Sequence, residues 1–405
     1  MTYKPLYKYK LIDFSKIFFS FLIISININA GDFFYTKELF FILLIFSSAT
    51  FGNYKNLWEL LIILVIYMTS FSLNLIIPGS SLVFNSGLIN LFGMLYLFLF
   101  VFNKPVFHDT IIKSYVYSAL FVAAFIVVVW LLCYFVLPVR TALMLYFGEM
   151  DNGKTAHFVT IWTRKILFWW IPGVYYGTSP CLIPALGFFL WKKLDCKVIK
   201  LKEVFFILFL AAGLILTFAR ANMLAAIILL FAYFALSQLK KKNLMVFSFL
   251  LVLSFFILAV LVFLLLTTKE ASLNVKSLHK LSYMQEFDSD LIRTCFYGWG
   301  AGSEFYSLGY KEITQLTELS LYETIRRYGF LSTCIIFITI WLKPAIRVFM
   351  KGKKISNFFL VVVLLSYIFV ACTNPFLLGS IGFCALLFIT VIVNKSTSGE
   401  RIDGC

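Results

Sequence analysis

The sequence predicts an all-α, polytopic membrane protein, and three observations carry that prediction. Hydrophobic residues make up 61% of the 405 and charged residues only 13%, with a mean hydropathy of +0.94. This is far from the makeup of a soluble domain. The apolar residues fall in runs close to the ~20 that a helix needs to cross a bilayer. The lysines fall between alternate runs, as they do in cytoplasmic loops. Aromatic residues reach 19%, with 48 Phe suited to lipid and with Tyr and Trp suited to the interfaces.

The first run, about 11–30, follows a basic start, has no small-residue cleavage site and leads at once into a second run. It reads as an uncleaved first helix. Further spans are expected at 38–52, 57–78, 82–102, 111–137, 166–191, 203–219, 221–239, 244–266, 319–342, 357–375 and 376–394, about twelve in all. With Lys4, Lys8, Lys10 and Lys16 in the cytoplasm, alternation puts five lysine-bearing loops on that side. They hold Lys55; Lys104 and Lys113; Lys192, Lys193, Lys197, Lys200 and Lys202; Lys240 to Lys242; and Lys343, Arg347, Lys351, Lys353 and Lys354. The tail with Lys395 and Arg401 falls there too, so both termini are expected in the cytoplasm. Most of the net charge of +16 is then a topology signal, and no nucleic-acid partner is expected. The eight cysteines are scattered, several inside apolar runs (Cys133, Cys334, Cys372, Cys384), and suggest neither a disulfide framework nor a zinc site. His108, His157 and His279 are isolated, so no metal is expected.

The same alternation leaves two long outer loops, 138–165 and 267–318. The arginines gather on that side: Arg140, Arg164, Arg220, Arg293, Arg326 and Arg327 lie on or near it, while the inner loops are chiefly lysine. The planar guanidinium binds phosphate and carboxylate bidentately, so the partition points to an anionic substrate outside, with capping of helix ends or contact with lipid phosphates as the plainer alternative. Arg220 sits in LTFARANMLAAII between two apolar runs with almost no loop, where an unpaired arginine costs several kcal/mol. Asn222 either starts the next helix or adds a second donor. The run 166–191 contains Pro172, Pro180 and Pro184 and reads as a kinked helix or a re-entrant entry.

After the large loop, Glu318, Tyr322, Ile325 and Gly329 share one helical face, and Glu323 stands four residues before Arg327. A carboxylate and two guanidiniums at one helix start suit acid–base work on a charged substrate, or simply a salt-bridged helix end. The alternating Gly298, Gly300 and Gly302 lack a dinucleotide pattern and are expected to allow tight turns or close backbone approach. Asn374-Pro375 marks a turn between the last two spans. No repeat of the first half appears in the second, which argues against an inverted-repeat transporter.

These residues resemble a known family. TFARANMLA is similar to the Arg-containing motif of the bacterial O-antigen polymerase and O-antigen ligase superfamily. GWGAGSEFY resembles the Gly-rich segment of its large outer loop, TELSLYETIRRYGFLS the entry to the next helix, and TNPFLLGSIG the Asn-Pro turn of many polymerases. The resemblance covers mainly residues 203–382. The ligases carry a His at the spacing from a Gly that Glu318 has from Gly329 here, so the departure favours the polymerase branch.

The resemblance implies a glycosyltransferase of GT-C-like fold in a bacterial inner membrane, using an undecaprenyl-pyrophosphate-linked oligosaccharide and no cofactor. It also implies membrane lipid, a chain-length regulator and a flippase as partners. In that reading Arg220, Arg293, Arg326 and Arg327, with Arg164 and Arg140 behind them, hold the pyrophosphate. Arg220, Glu318 and Glu323 are the catalytic candidates. Glu304, Tyr306, Tyr322 and Asn222 contact sugar. The competing readings are an O-antigen ligase, a flippase or transporter of lipid-linked oligosaccharide, and a non-catalytic membrane scaffold.

Overall fold

The longest helix begins where the sequence allows it. Lys104 is extended and Pro105 takes the first helical position, where a missing N–H costs nothing. From there the chain runs through apolar residues to Phe135, roughly 45 Å of helix. The computed structural model describes residues 6–28, 36–48, 57–76, 91, 93–151, 159–166, 169–195, 200–249, 271–315, 317, 319–351, 354–374 and 376–398. Within them the order is α1 Leu6–Ile28, α2 Thr36–Ser48, α3 Leu57–Ile76, a 3-10 turn Tyr96–Phe102, α4 Pro105–Phe135, α5 Leu137–Asp151, strands β1 Val159–Ile166 and β2 Trp169–Tyr176, α6 Leu182–Asp195, α7 Leu201–Leu216 and α8 Arg220–Lys240. Then come α9 Ala271–Ser289, α10 Leu291–Phe296, β3 Phe305–Ser307, β4 Glu312–Thr314, α11 Ser320–Tyr328, α12 Phe330–Ile336, a π turn Phe337–Trp341, α13 Lys343–Lys351, α14 Ile355–Cys372 and α15 Ser380–Ser398.

The protein is a mostly helical membrane protein. Among the described residues five helices are long and apolar enough to cross a bilayer, and a sixth span results if α12 with its π turn and α13, bent by 50°, count as one. α15 is the innermost, with 72% of its apolar window buried, and α8 the most peripheral, with 22%. Large apolar side chains such as Phe46, Val65, Tyr117 and Phe135 point outward along the helices, as lipid-facing residues do.

Relative helix directions follow the alternation of the lysines. α1 and α4 run parallel, with Ser20 and Ser114 hydroxyls 2.7 Å apart and Asn27 Nδ2 donating to Ser118 Oγ at 2.8 Å. α3 runs against the α11–α13 stretch: Glu59 pairs with Lys343, while Ser70 Oγ donates to the Arg327 carbonyl at 2.6 Å. α15 runs against α4, with Lys395 Nζ on Asp109 at 2.5 Å and Asn394 Nδ2 on Asn103 Oδ1 at 2.9 Å. One end of the bundle therefore holds Lys343 and Lys395, and Lys192–Glu203 at 2.9 Å belongs to it. The opposite end holds Arg326 and Arg327.

Two expected spans are corrected, and two outer intervals carry regular structure. The run 166–191 is not one span: β2 pairs antiparallel with β1, from Val159↔Tyr176 to Ile166↔Trp169, and only α6 remains helical. Pro172 and Pro180 withhold helix hydrogen bonds, and the aromatic pairs at 169–170 and 175–176 suit a pleated strand. The outer interval 138–165 carries most of α5 and nearly all of β1. The outer interval 267–318 holds helices α9 and α10 and the short β3–β4 hairpin within a structure that is otherwise mostly helical. The run 319–342 divides at Gly329 into polar α11, outside the bilayer stretch, and apolar α12.

Candidate functional site

α11 places Glu323, Arg326 and Arg327 one turn apart, and the surrounding unit buries them. Glu323 Oε1 accepts from Arg326 Nη2 at 2.8 Å and from Arg327 Nε at 2.5 Å. Its Oε2 accepts from the Tyr283 hydroxyl at 2.7 Å and from Arg326 Nε at 3.2 Å. Arg326 is fully buried; its Nη1 donates to Ser303 Oγ at 2.8 Å and its Nη2 to the Ser303 carbonyl at 2.9 Å. The guanidinium also lies 4.4 Å from the Phe305 ring centre, a cation–π contact. Burial alone would raise the Glu323 carboxyl, but the two guanidiniums and the tyrosine outweigh it and hold it at about 2.

The glycines bring backbones together. Gly298 (φ +66°) and Gly329 (φ +82°) adopt left-handed conformations. A Cβ at Gly298 would lie 2.5 Å from the Arg326 carbonyl oxygen, and one at Gly329 would lie 2.6 Å from Phe296 C. This closeness lets Trp299 N donate to Arg326 O at 2.7 Å and Gly300 N to Arg327 O at 3.1 Å. Asn74 of α3 adds a bond from Nδ2 to Gly298 O at 3.0 Å. Tyr283, Phe287, Trp299 and Phe305 form a second, separate aromatic core above the bundle, with Tyr322 stacked on Tyr283 at 5.8 Å.

The α7–α8 turn supplies the other cation. Phe218 holds φ +50°, an uncommon conformation that costs about 1–3 kcal/mol and concentrates at functional sites. Thr217 Oγ1 accepts from Ala219 N at 3.2 Å, and buried Asn222 donates from Nδ2 to Ser179 Oγ at 3.0 Å. Arg220, half-buried, is the first residue of α8, so its charge adds to the positive end of the helix dipole. α8 packs along α14, whose far end is joined to α11 by Ser320 Oγ donating to the Asn374 carbonyl. Arg220 and the Glu323 network thus share one end of the bundle.

The sequence candidates divide accordingly. Arg326 and Glu323 are enclosed by their own partners, which suits scaffolding better than contact with a ligand. Arg327 also bonds Gln315 O at 3.2 Å. Arg293 pairs with Asp290 at 3.2 Å, and Arg140 is half-buried on α5. Tyr322 belongs to the aromatic core, Glu304 accepts from Gln315 Nε2 at 2.9 Å, and Tyr306 is exposed. Glu318 and the side chain of Arg164 lie outside the described residues.

One residue was missed by sequence reasoning. Glu286 lies on the face of α9 that carries Tyr283 and Phe287, and among the described residues its carboxylate makes no hydrogen bond or ion pair. Burial raises its carboxyl from the ordinary value, with Arg326 and Arg293 opposing and Glu323 reinforcing the rise. The i, i+3, i+4 spacing of Tyr283, Glu286 and Phe287 was the available signal. His279 is buried, with Nδ1 2.8 Å from Ser307 Oγ. No group of His, Cys, Asp and Glu among the described residues could hold a metal ion. Compared with known proteins, the chain matches no family model and no curated protein.

Proposed function

We propose that this protein is a polysaccharide polymerase of the O-antigen type, a glycosyltransferase that moves a glycan from undecaprenyl pyrophosphate onto a lipid-linked repeat unit. The observation that supports it is that Arg220, Arg293 and Arg327 lie at one end of the bundle, beside a folded polar unit with an aromatic core. In this reading the chain has about twelve spans in a GT-C-like arrangement, sits in a bacterial inner membrane and keeps both termini in the cytoplasm.

The acceptor hydroxyl oxygen attacks the anomeric carbon of the donor. A glycosidic bond forms, the anomeric carbon–oxygen bond to pyrophosphate breaks, and undecaprenyl pyrophosphate leaves with the electron pair. Arg220, with Arg293 and Arg327 at the same end of the bundle, neutralises the charge that develops on the leaving group, usually the largest catalytic contribution. The hydroxyl proton passes to a carboxylate, either Glu318 or Glu286. Glu286 fits by its raised basicity, whereas Glu323, held at about 2, is too weak a base.

The test is complementation of a polymerase-deficient strain that carries the matching repeat-unit genes, read as a lipopolysaccharide ladder on a gel. Wild type should restore the ladder. Arg220→Ala should reduce polymerisation by about 10²–10³-fold at equal protein level, leaving a single-repeat band. A ladder unchanged by Arg220→Ala, Glu286→Gln and Glu318→Ala would remove the site assignment. Restored capping of bare core would make the chain a ligase.

A further inference from the structure

At the lysine end, away from the candidate site, the fold leaves a cavity of about 50 Å³ whose lining includes Glu59, Asn103, Ile340, Lys343, Arg347 and Thr390. It has room for about four water-sized spheres, a small polar group rather than a drug-sized ligand. The π turn Phe337–Trp341 borders it at Ile340, and the chain then bends by 50° into α13. Such turns recur at functional positions because they displace a helix from its regular path.

The charges around the cavity are unbalanced. Lys343, Arg347 and Lys351 stand at successive i, i+4 positions on α13, and like charges at that spacing repel. The positive charge of Arg347 acts on Lys343. Glu59 answers Lys343. Arg347 is half-buried, and its Nε is buried and meets no acceptor among the described residues. A buried charged donor left unmatched is costly, so an anion between the two cations would relieve both the repulsion and the missing bond.

α13 itself has the makeup of a helix lying in a membrane interface. Pro344, Ala345 and Val348 face the bundle, Ile346, Phe349 and Met350 are exposed apolar residues, and the cations form a third stripe. A basic cavity between helices at that depth matches the way phosphate headgroups are recognised. We propose that the cavity binds the phosphate group of an anionic membrane lipid, with Arg347 and Lys343 as its ligands and α13 lying in the headgroup layer. This inference does not depend on the proposed glycosyltransferase activity.

The test is thermal unfolding of the purified full-length protein in neutral detergent, titrated separately with dioleoylphosphatidylglycerol, dioleoylphosphatidylcholine and inorganic phosphate. Phosphatidylglycerol should raise Tm saturably, and phosphatidylcholine should not. Arg347→Gln should raise the half-saturating lipid concentration about five-fold, while Arg347→Lys and the exposed control Lys241→Gln stay near wild type. If Arg347→Gln does not fold, Lys343→Gln serves in its place and should weaken binding similarly. Identical titrations for wild type and the charge-removing variant would overturn the proposal. Saturation by inorganic phosphate alone, in competition with the lipid, would overturn the lipid as occupant.

Discussion

Removing the Glu323 carboxylate would leave two guanidiniums facing each other inside the polar unit. Glu323→Gln should therefore destabilise the protein by about 3–5 kcal/mol, seen as a lower Tm in detergent. Its pH dependence has a defined sign. The folded-state carboxyl is held at about 2, below its ordinary value, so its contribution is complete above the usual carboxylate range and lost as pH falls toward about 2. Wild type should lose stability over that acid window, and Glu323→Gln should show a shallower loss. Glu286 carries the opposite sign. Burial raises its carboxyl, so a base at this position loses activity on acidification at a higher pH than an ordinary carboxylate would. In the proposed polymerase the wild-type rate should fall on that acid limb. Glu286→Gln should lower the rate by about 10²–10⁴-fold, and an unchanged rate would assign the base to Glu318.

At the scale of elements, the joint between the polar unit and the bundle is made by backbone rather than by side chains. Gly298 and Gly329 combine positive φ with close approach to a neighbouring main chain, so neither contact can relax by turning a side chain. Gly298→Ala and Gly329→Ala should each cost more than the ~1–2 kcal/mol of a left-handed L-residue alone. Limited proteolysis should then cut 271–315 at a lower protease concentration than in wild type. Gly379→Ala, where an added methyl meets nothing within 4 Å, should be neutral. The glycine spacing in the sequence was enough to expect tight turns and close approach. It did not say that the approached backbone belongs to Arg326 and Arg327, because that pairing joins segments separated in the chain by the β3–β4 hairpin.

For the whole molecule, the testable quantity is which end faces which side of the membrane. Cys295 is exposed at the arginine end, and Lys241 is exposed at the lysine end. A membrane-impermeant maleimide applied to intact cells with a permeable outer membrane should label Cys295. A Lys241→Cys variant should label at that added position only after the inner membrane is opened. The reverse pattern would invert the proposed topology and move the candidate site to the cytoplasm.

Composition was sufficient for the class of protein, and lysine spacing for the relative directions of α1, α3, α4 and α15, because lipid and loop charge act on each segment independently of its neighbours. The arginine partition was legible for the same reason. The β1–β2 hairpin was hidden because a buried strand and a buried helix show the same apolar run, and only the prolines hinted at the difference. The roles of the charges were hidden more deeply. Arg326 and Arg327 are adjacent and chemically alike, yet one is enclosed by Ser303, Phe305 and Glu323 while the other reaches the edge of the unit. Glu286 and Glu323 are both carboxylates, and burial moves one up while two guanidiniums move the other down. A charge takes its chemistry from what surrounds it, and those surroundings are assembled from α3, α9, the glycine segment and α11 only when the chain folds.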